Sequence, residues 1–137
     1  DKIFLGNTKL IPVSAPGFIP QEYTKQTPDK ILKNLTQIIV SDSSTKRESK
    51  KYHVLPGGKF WTVNSMHVKK EIVLAGMGWG SLPEYLIEKE LKDKTLVPIN
   101  NESIPPLEIS IHAIRLKNRI LGPVCDLLWK NLSNFKI

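Results

Sequence analysis

The chain has 137 residues, 40% of them hydrophobic, and a formal charge of +7 from 20 Lys and Arg against 13 Asp and Glu. That is enough for one ordinary domain with a real core and too little for two, and it excludes wholesale disorder. The lone cysteine, Cys125, excludes an intrachain disulfide and any multi-cysteine zinc site; no apolar run reaches membrane-spanning length, and Asp1-Lys2-Ile3-Phe4 lacks the layout of a signal peptide, so a cytoplasmic protein is expected.

Leu5 to Ser14 mixes Leu, Ile and Val with Thr, is interrupted by Pro12 and runs into the turn Ala15-Pro16-Gly17. It reads as an edge-like or crossing strand. Thr27-Pro28-Asp29 supplies a cap, a first-turn proline and an early acid, and Ile31, Leu32 and Leu35 form an apolar stripe, which predicts a short helix. Ile38-Ile39-Val40 is a β-branched run suited to a strand covered on both faces, and it stops at Ser41-Asp42-Ser43-Ser44. From Ser41 to Lys51 nearly every residue is polar or charged, so a long loop with a turn or so of helix is expected. Lys46-Arg47-Glu48-Ser49-Lys50-Lys51 is the one basic cluster of the chain. It reads first as a solvated loop and second as a contact for DNA phosphates, without the aromatic ladder that stacks bases. Tyr52 to Leu55 and Lys59 to Val63 flank Pro56-Gly57-Gly58, suggesting two strands with a tight connection. Asn64-Ser65 then caps a helix with Val68, Ile72 and Ala75 on its apolar face and Lys69, Lys70 and Glu71 turned mostly outward.

Gly76, Gly78, Gly80 and Pro83 punctuate the next stretch, which reads as a helix stop, a tight corner and a helix start with free amides at the beginning of the second helix. In that helix Leu86, Ile87 and Leu91 are apolar, while Glu84, Glu88, Lys89 and Lys92 face solvent. Leu96 to Ile99 is a short strand, Asn100 to Pro106 a loop, and Leu107 to Leu116 a strand alternating through Leu107, Ile109, Ile111 and Ala113. The last helix opens at Gly122-Pro123 and carries Val124, Leu127, Leu128, Leu132 and Phe135 on one stripe. Such a stripe needs a partner, so the helix is expected to dock on its own subdomain or on a second chain as a dimer or swapped arrangement. Cys125 within it reads as a buried inert thiol. Strands alternating with helices at this spacing predict an α/β layered domain with a mixed, mainly parallel sheet flanked by helices.

The run Val73-Leu74-Ala75-Gly76-Met77-Gly78-Trp79-Gly80-Ser81-Leu82-Pro83, followed by the acidic-basic helix Glu84 to Leu91 and by Lys94-Thr95-Leu96-Val97-Pro98-Ile99, resembles the effector domain of LysR-type transcriptional regulators. The proline loop Ile104-Pro105-Pro106, the extended Leu107 to Leu116 and the terminal helix Pro123 to Phe135 follow in the order that ends those regulators. Leu5 to Ser14 looks like their strand crossing between subdomains. The likeness covers nearly the whole chain, with the glycine-proline corner its specific part. It implies a type 2 periplasmic-binding-protein-like fold in a single partial effector-binding domain: about 10–108 as second subdomain, about 109–137 as the return strand and C-terminal helix of the first. The family's DNA-binding winged helix-turn-helix is absent.

The resemblance also implies a small effector, polar or anionic, read in a cleft between subdomains. Carried over by position, the candidates are Ser14 and Ala15 after the crossing strand, Ser41, Asp42 and Ser43 after the β-branched strand, Asn64 and Ser65 before a helix, and Gly76, Met77, Gly78 and Trp79 as one wall. Hydroxyls, an amide and backbone N–H groups suit a carboxylate-like ligand, because fixed dipoles offset its desolvation. For each residue alone the plain alternative is a cap or a packed side chain; Trp79 in particular reads first as plugging the corner, and Trp61 and Trp129 as buried in a core or interface.

Catalysis has little support. His53, His67 and His112 share no spacing, no metal-ligand pair or acidic partner motif appears, and Cys125 carries no nucleophile signature. Gly76-x-Gly78-x-Gly80 follows a helix rather than a strand, so the dinucleotide-loop context fails. The expectation is therefore an effector-sensing region of a LysR-type regulator. It would use no cofactor or metal, would reach DNA only through the missing domain, and would work as a homo-oligomer. The alternative is a solute-binding domain of periplasmic-binding-protein type serving transport or enzyme regulation.

Overall fold

The computed structural model describes residues 1–41, 53–117, 120 and 122–135. Asp42, Ser43, the basic cluster Lys46 to Lys51 and Tyr52 lie outside these. The chain forms two compact units, Leu10–Leu107 and Asp1–Lys9 with Glu108–Ile137. The first strand, β1 (Lys2–Ser14), contributes to both.

In the larger unit the elements follow as α1 (Asp29–Asn34), β2 (Gln37–Val40), β3 (Phe60–Val63), α2 (Met66–Leu74), β4 (Gly80–Pro83), α3 (Glu84–Asp93) and β5 (Val97–Pro98). β2 and β3 pair in parallel, Gln37 opposite Phe60 and Val40 opposite Val63, and a parallel bridge joins Gln37 to Trp79 just ahead of β4. β1 lies between β4 and β5 and is antiparallel to both, Val13 facing Gly80 on one side and Pro98 on the other. The expected mainly parallel sheet is thus corrected. Helices α2 and α3 do bring β3, β4 and β5 back in one direction, as crossovers must. β1 enters from outside that alternation and runs against its neighbours.

Pro12 consequently sits in an interior strand, opposite Ser81; it has no N–H to lose, and its carbonyl accepts from the Ile99 N–H at 2.8 Å. Two further readings change. Residues 53–55 form no strand: His53 has φ 58°, and the Leu55 N–H donates to Gln37 Oε1 at 3.1 Å. Helix α2 buries Lys69 and Val73 rather than Val68 and Ala75, leaving Val68 39% exposed.

The sheet is covered on both faces. Val13, Ile38, Val73, Leu82, Ile87 and Leu96 form one core, while Ile19, Leu32, Leu55, Trp79, Ile99 and Ile104 form the other. Alternation along each strand produces the split: Ile38 and Leu82 serve the first, their neighbour Trp79 the second.

In the smaller unit β6 (Leu107–Ile114) pairs with β1. The N-terminal amine donates to the Arg115 carbonyl at 3.2 Å, the Arg115 N–H returns a bond to Asp1 O at 3.0 Å, and Ser110 Oγ donates to Asn7 Oδ1, so the two strands run antiparallel. Helix α4 (Pro123–Leu132) starts at the predicted proline and contains no buried residue. Val124, Leu127, Leu128 and Phe135 of its stripe are exposed, as is Cys125, which corrects the expectation of a buried thiol. Trp61, expected in a core, is 51% exposed; Trp129 is half-buried beneath the Arg115 guanidinium, 4.8 Å from its ring.

Candidate functional site

Parallel pairing of β2 with β3 carries both chains out of the sheet side by side. The Ser41 N–H donates to the Val63 carbonyl at 2.7 Å, which holds Ser41 next to Asn64 and Ser65. Ser65 is the N-cap of α2: its backbone is extended (φ −147°, ψ 152°), its Oγ accepts from the Val68 N–H at 3.1 Å, and its carbonyl accepts from the Lys69 N–H. The amides of Met66 and His67 precede any carbonyl the helix could offer them, so the start of α2 keeps donors for an outside acceptor.

One turn further on, Lys69 is only 7% exposed. Its Cε passes directly over Gly80, and among the described residues it has no ion-pair partner. Burial pushes its ammonium down to about 8. Lys70, expected to point outward like Lys69, instead donates to the Leu86 carbonyl at 2.8 Å and pairs with Glu90 at 2.6 Å, which holds that carboxyl below its ordinary value. His53 Nδ1 lies 2.8 Å from Ser81 Oγ on β4, and Gln37 Nε2 donates to the His53 carbonyl. Burial lowers the His53 pKa; Lys69 lowers it further, against an opposing backbone hydrogen bond with Pro105.

The other sequence candidates gather at the far end of β2. The Trp79 N–H donates to the Thr36 carbonyl and the Ile38 N–H to the Trp79 carbonyl, so the glycine corner meets the start of β2 rather than its end. With β2 rising about 3.3 Å per residue, Gly76 to Trp79 stand some ten ångströms along the strand from Ser41. Ala15 accompanies them, its Cβ 3.9 Å from the point where one on Gly76 would lie. Within itself the corner leaves the amides of Gly76, Met77 and Trp79 committed, donating to the Val73, Ile72 and Thr36 carbonyls. It does not run from helix to helix, since β4 intervenes. Trp79 is fully buried, its Nε1 donating to the Leu32 and Leu35 carbonyls at 3.3 Å, so it packs the corner from within. Met77 is 55% exposed.

Sequence reasoning missed Lys69, and a signal was available. Lys69 and Val73 are four apart on the side of α2 facing the sheet, and a glycine at position 80 leaves room for a long side chain to lie flat. No group of three His, Cys, Asp or Glu side chains among the described residues could hold a metal ion. No described helix is long and apolar enough to cross a membrane. What the end of β2 and β3 offers is recognition of a polar or negative group by amides and hydroxyls, with the Lys69 ammonium further back along β2 against Gly80.

The family model described as LysR substrate binding domain matches residues 3–135. The chain is 30% identical over 78 residues to the HTH domain-truncated transcriptional regulator QseD of Escherichia coli O157:H7, a match covering 57% of this chain and 31% of that protein. The bromide-bound regulatory domain of HypT from Salmonella typhimurium superposes with a TM-score of 0.68 at 24% identity, over 98% of this chain and 63% of that one. DarR of Vibrio fischeri, solved in complex with DNA, gives 0.71 at 22%, over 99% and 46%. The structural likenesses concern the fold, and the chain spans 31% and 25% of the length of the two curated relatives it matches. On the match across residues 3–135, the chain belongs to the LysR substrate-binding domain family, the effector-binding regulatory domain of LysR-type transcriptional regulators.

Proposed function

We propose that this domain senses a small polar or anionic effector at the C-terminal ends of β2 and β3, where Ser41, Asn64 and Ser65 converge on the start of α2. Asp42 and Ser43, next in sequence, belong to the same proposed site. The observation that carries the reading is the register: Val40 opposite Val63 sets Ser41 beside the α2 cap. Lys69, buried one turn into α2 and without a partner anion among the described residues, supports a negative or strongly polar ligand, because a bound anion would offset the desolvation its ammonium now bears. The bromide in the related HypT domain is a small anion accommodated by the same fold.

Ser14, Ala15 and Gly76 to Trp79 are not part of this proposed site, since they stand at the other end of β2. Within a full-length regulator the effector would bias one arrangement of the protein over another, and only that difference in affinity can reach promoter DNA. Such a regulator would work in the cytoplasm, as a homo-oligomer, and would touch DNA through a separate domain.

The test is thermal stabilisation by a panel of halides, aliphatic and aromatic carboxylates and amino acids, repeated on Ser41→Ala, Asn64→Ala and Lys69→Met. A ligand at a hundred times its Kd stabilises by about 2.7 kcal/mol. The reading requires at least one panel member to do so in the native chain and to lose the effect in these variants. A response that all three variants retain would move the site elsewhere.

A further inference from the structure

We propose that the cavity beneath the turn at Ala15 to Phe18 is a second ligand site, for a small uncharged molecule with an apolar body and one hydrogen-bonding group. The cavity measures about 300 Å³ and is lined by Ser14, Pro16, Ile19, Thr27, Val97 and Ile99 among others, all from the larger unit. It lies with the last residue of β1, at the far end of β2 from Ser41.

Ser14 marks it as a binding site and not merely a packing gap. Its side chain is fully buried, and its Oγ finds no hydrogen-bond partner among the described residues. A buried hydroxyl left so is costly, and native chains rarely keep one without use. The other two hydroxyls of the lining have already spent their protons, Thr24 on the Gln21 carbonyl and Thr27 on the Tyr23 carbonyl, each at 2.9 Å. Ser14 Oγ therefore supplies the one uncommitted hydroxyl proton of this lining among the described residues.

The ligand's chemistry follows from what surrounds that hydroxyl. Among the described residues no charged side chain lines the cavity, so an ionic ligand would be desolvated without compensation. Proline, isoleucine and valine side chains make the remaining wall apolar. A volume at the lower end of the range for ligand pockets fits one ring or a short branched chain. The walls are fixed in advance. The turn closes by a bond from the Phe18 N–H to the Ala15 carbonyl at 3.1 Å, with Gly17 at φ +81° as a tight turn after proline requires. Thr27 is held from both sides, its N–H donating to the Asn100 carbonyl at 2.8 Å and its own carbonyl accepting from Asn101 Nδ2 at 2.7 Å.

Phenol is the probe, with benzoate as its charged counterpart and Ser14→Ala as the variant. In NMR titrations of this domain, phenol is expected to give saturable shifts at Ile19, Thr27, Val97 and Ile99, benzoate none, and the Ser14→Ala variant a Kd about three- to tenfold weaker. Lys69→Met should leave phenol binding unchanged, which separates this site from the proposed effector site. The proposal is overturned by no saturable shift at these residues, by equal binding of benzoate, or by an undiminished Kd in Ser14→Ala. Should Ser14→Ala fail to fold, a crystal of the native chain soaked in phenol decides: a ring in the cavity bonded to Ser14 Oγ upholds the site, and a water alone on that oxygen overturns it.

Discussion

The Cε of Lys69 lies 2.8 Å from the point where a Cβ on Gly80 would stand, so the buried lysine and the strand glycine fit only together. The Ile38 carbonyl is almost as near, at 2.9 Å. A methyl group at position 80 would press on a movable side chain and also on sheet backbone. Gly80→Ala is expected to lose about 1–3 kcal/mol in urea unfolding, as overpacked cores do. Adding Lys69→Ala should recover only part of that loss, because the carbonyl remains in the way.

Lys69 also predicts a pH dependence. Its folded value, about 8, lies below the ordinary 10.5, so the unfolded chain binds more protons between those two values. Stability attributable to this group therefore rises as pH increases from 8 to 10.5 and is at its lowest below 8. Lys69→Met keeps the length of the side chain without the charge and should gain about 1–3 kcal/mol at pH 7, the gain vanishing towards pH 10.5. Chemical denaturation at pH 7 and pH 10 measures both. A variant less stable than the native chain at pH 7 would show that the ammonium has an unrecognised partner.

His53 carries a sign of the same kind at lower pH. Burial holds its folded pKa below 6.5, and its Nδ1 faces Ser81 Oγ at 2.8 Å. The unfolded chain then takes up the proton first, so the contribution is complete above the unfolded value and is lost as pH falls through it towards the folded one. His53→Gln should flatten the stability profile between pH 7 and pH 5 relative to the native chain. An unchanged slope would assign the acid sensitivity to other groups.

The parts of this fold that were legible in the sequence were those set by local chemistry. Pro28-Asp29 announced α1, although Pro28 and not Thr27 is its N-cap and the Thr27 hydroxyl donates to the Tyr23 carbonyl; Ser65 announced the cap of α2 and Gly122-Pro123 announced α4, because a cap or a fixed φ acts within a few residues. Strand direction was not legible: β1 is antiparallel to β4 and β5 because of where it enters the sheet, which no local pattern records. Periodicity misled at α2, where Lys69 is buried because Gly80 leaves room for it. The candidate residues fell into two groups for a similar reason. Ser14 and Ser41 each end a strand, but β1 runs opposite to β4 and β4 lies parallel to β2 through the Trp79 bridge, so the two serines leave the sheet at opposite ends.

Trp79 tests the glycine corner as core. Its indole is fully buried among Leu32, Leu55 and Ile99, and its Nε1 donates to two carbonyls of the α1 end. Trp79→Phe removes the donor and leaves a gap while keeping a ring, so about 2–4 kcal/mol should be lost. Any ligand of the Ser41 end should still bind whatever fraction remains folded. Loss of ligand binding in a variant that is fully folded under the assay conditions would return Trp79 to the effector site.

Asn101 offers the sharpest separation of structure from charge. It is 8% exposed and joins three segments: Nδ2 donates to the Thr27 carbonyl and to Asp29 Oδ1, each at 2.7 Å, and Oδ1 accepts from the N–H groups of Ser103 and Ile104. The bonds from Asn101 and Ser103 hold the Asp29 carboxyl below 3.8. Asn101→Ala should lose about 2–3 kcal/mol at pH 7, since it strands buried groups on both sides. Asn101→Asp nearly preserves the shape and can still accept from Ser103 and Ile104, but it brings a second carboxylate against Asp29 and removes the donor. Its loss should therefore exceed that of the alanine variant at pH 7 and shrink as acid protonates the pair. If the two variants were equally unstable at pH 7 and responded alike to acid, Asn101 would act through packing alone, and its hydrogen bonds to Thr27 and Asp29 would contribute nothing measurable.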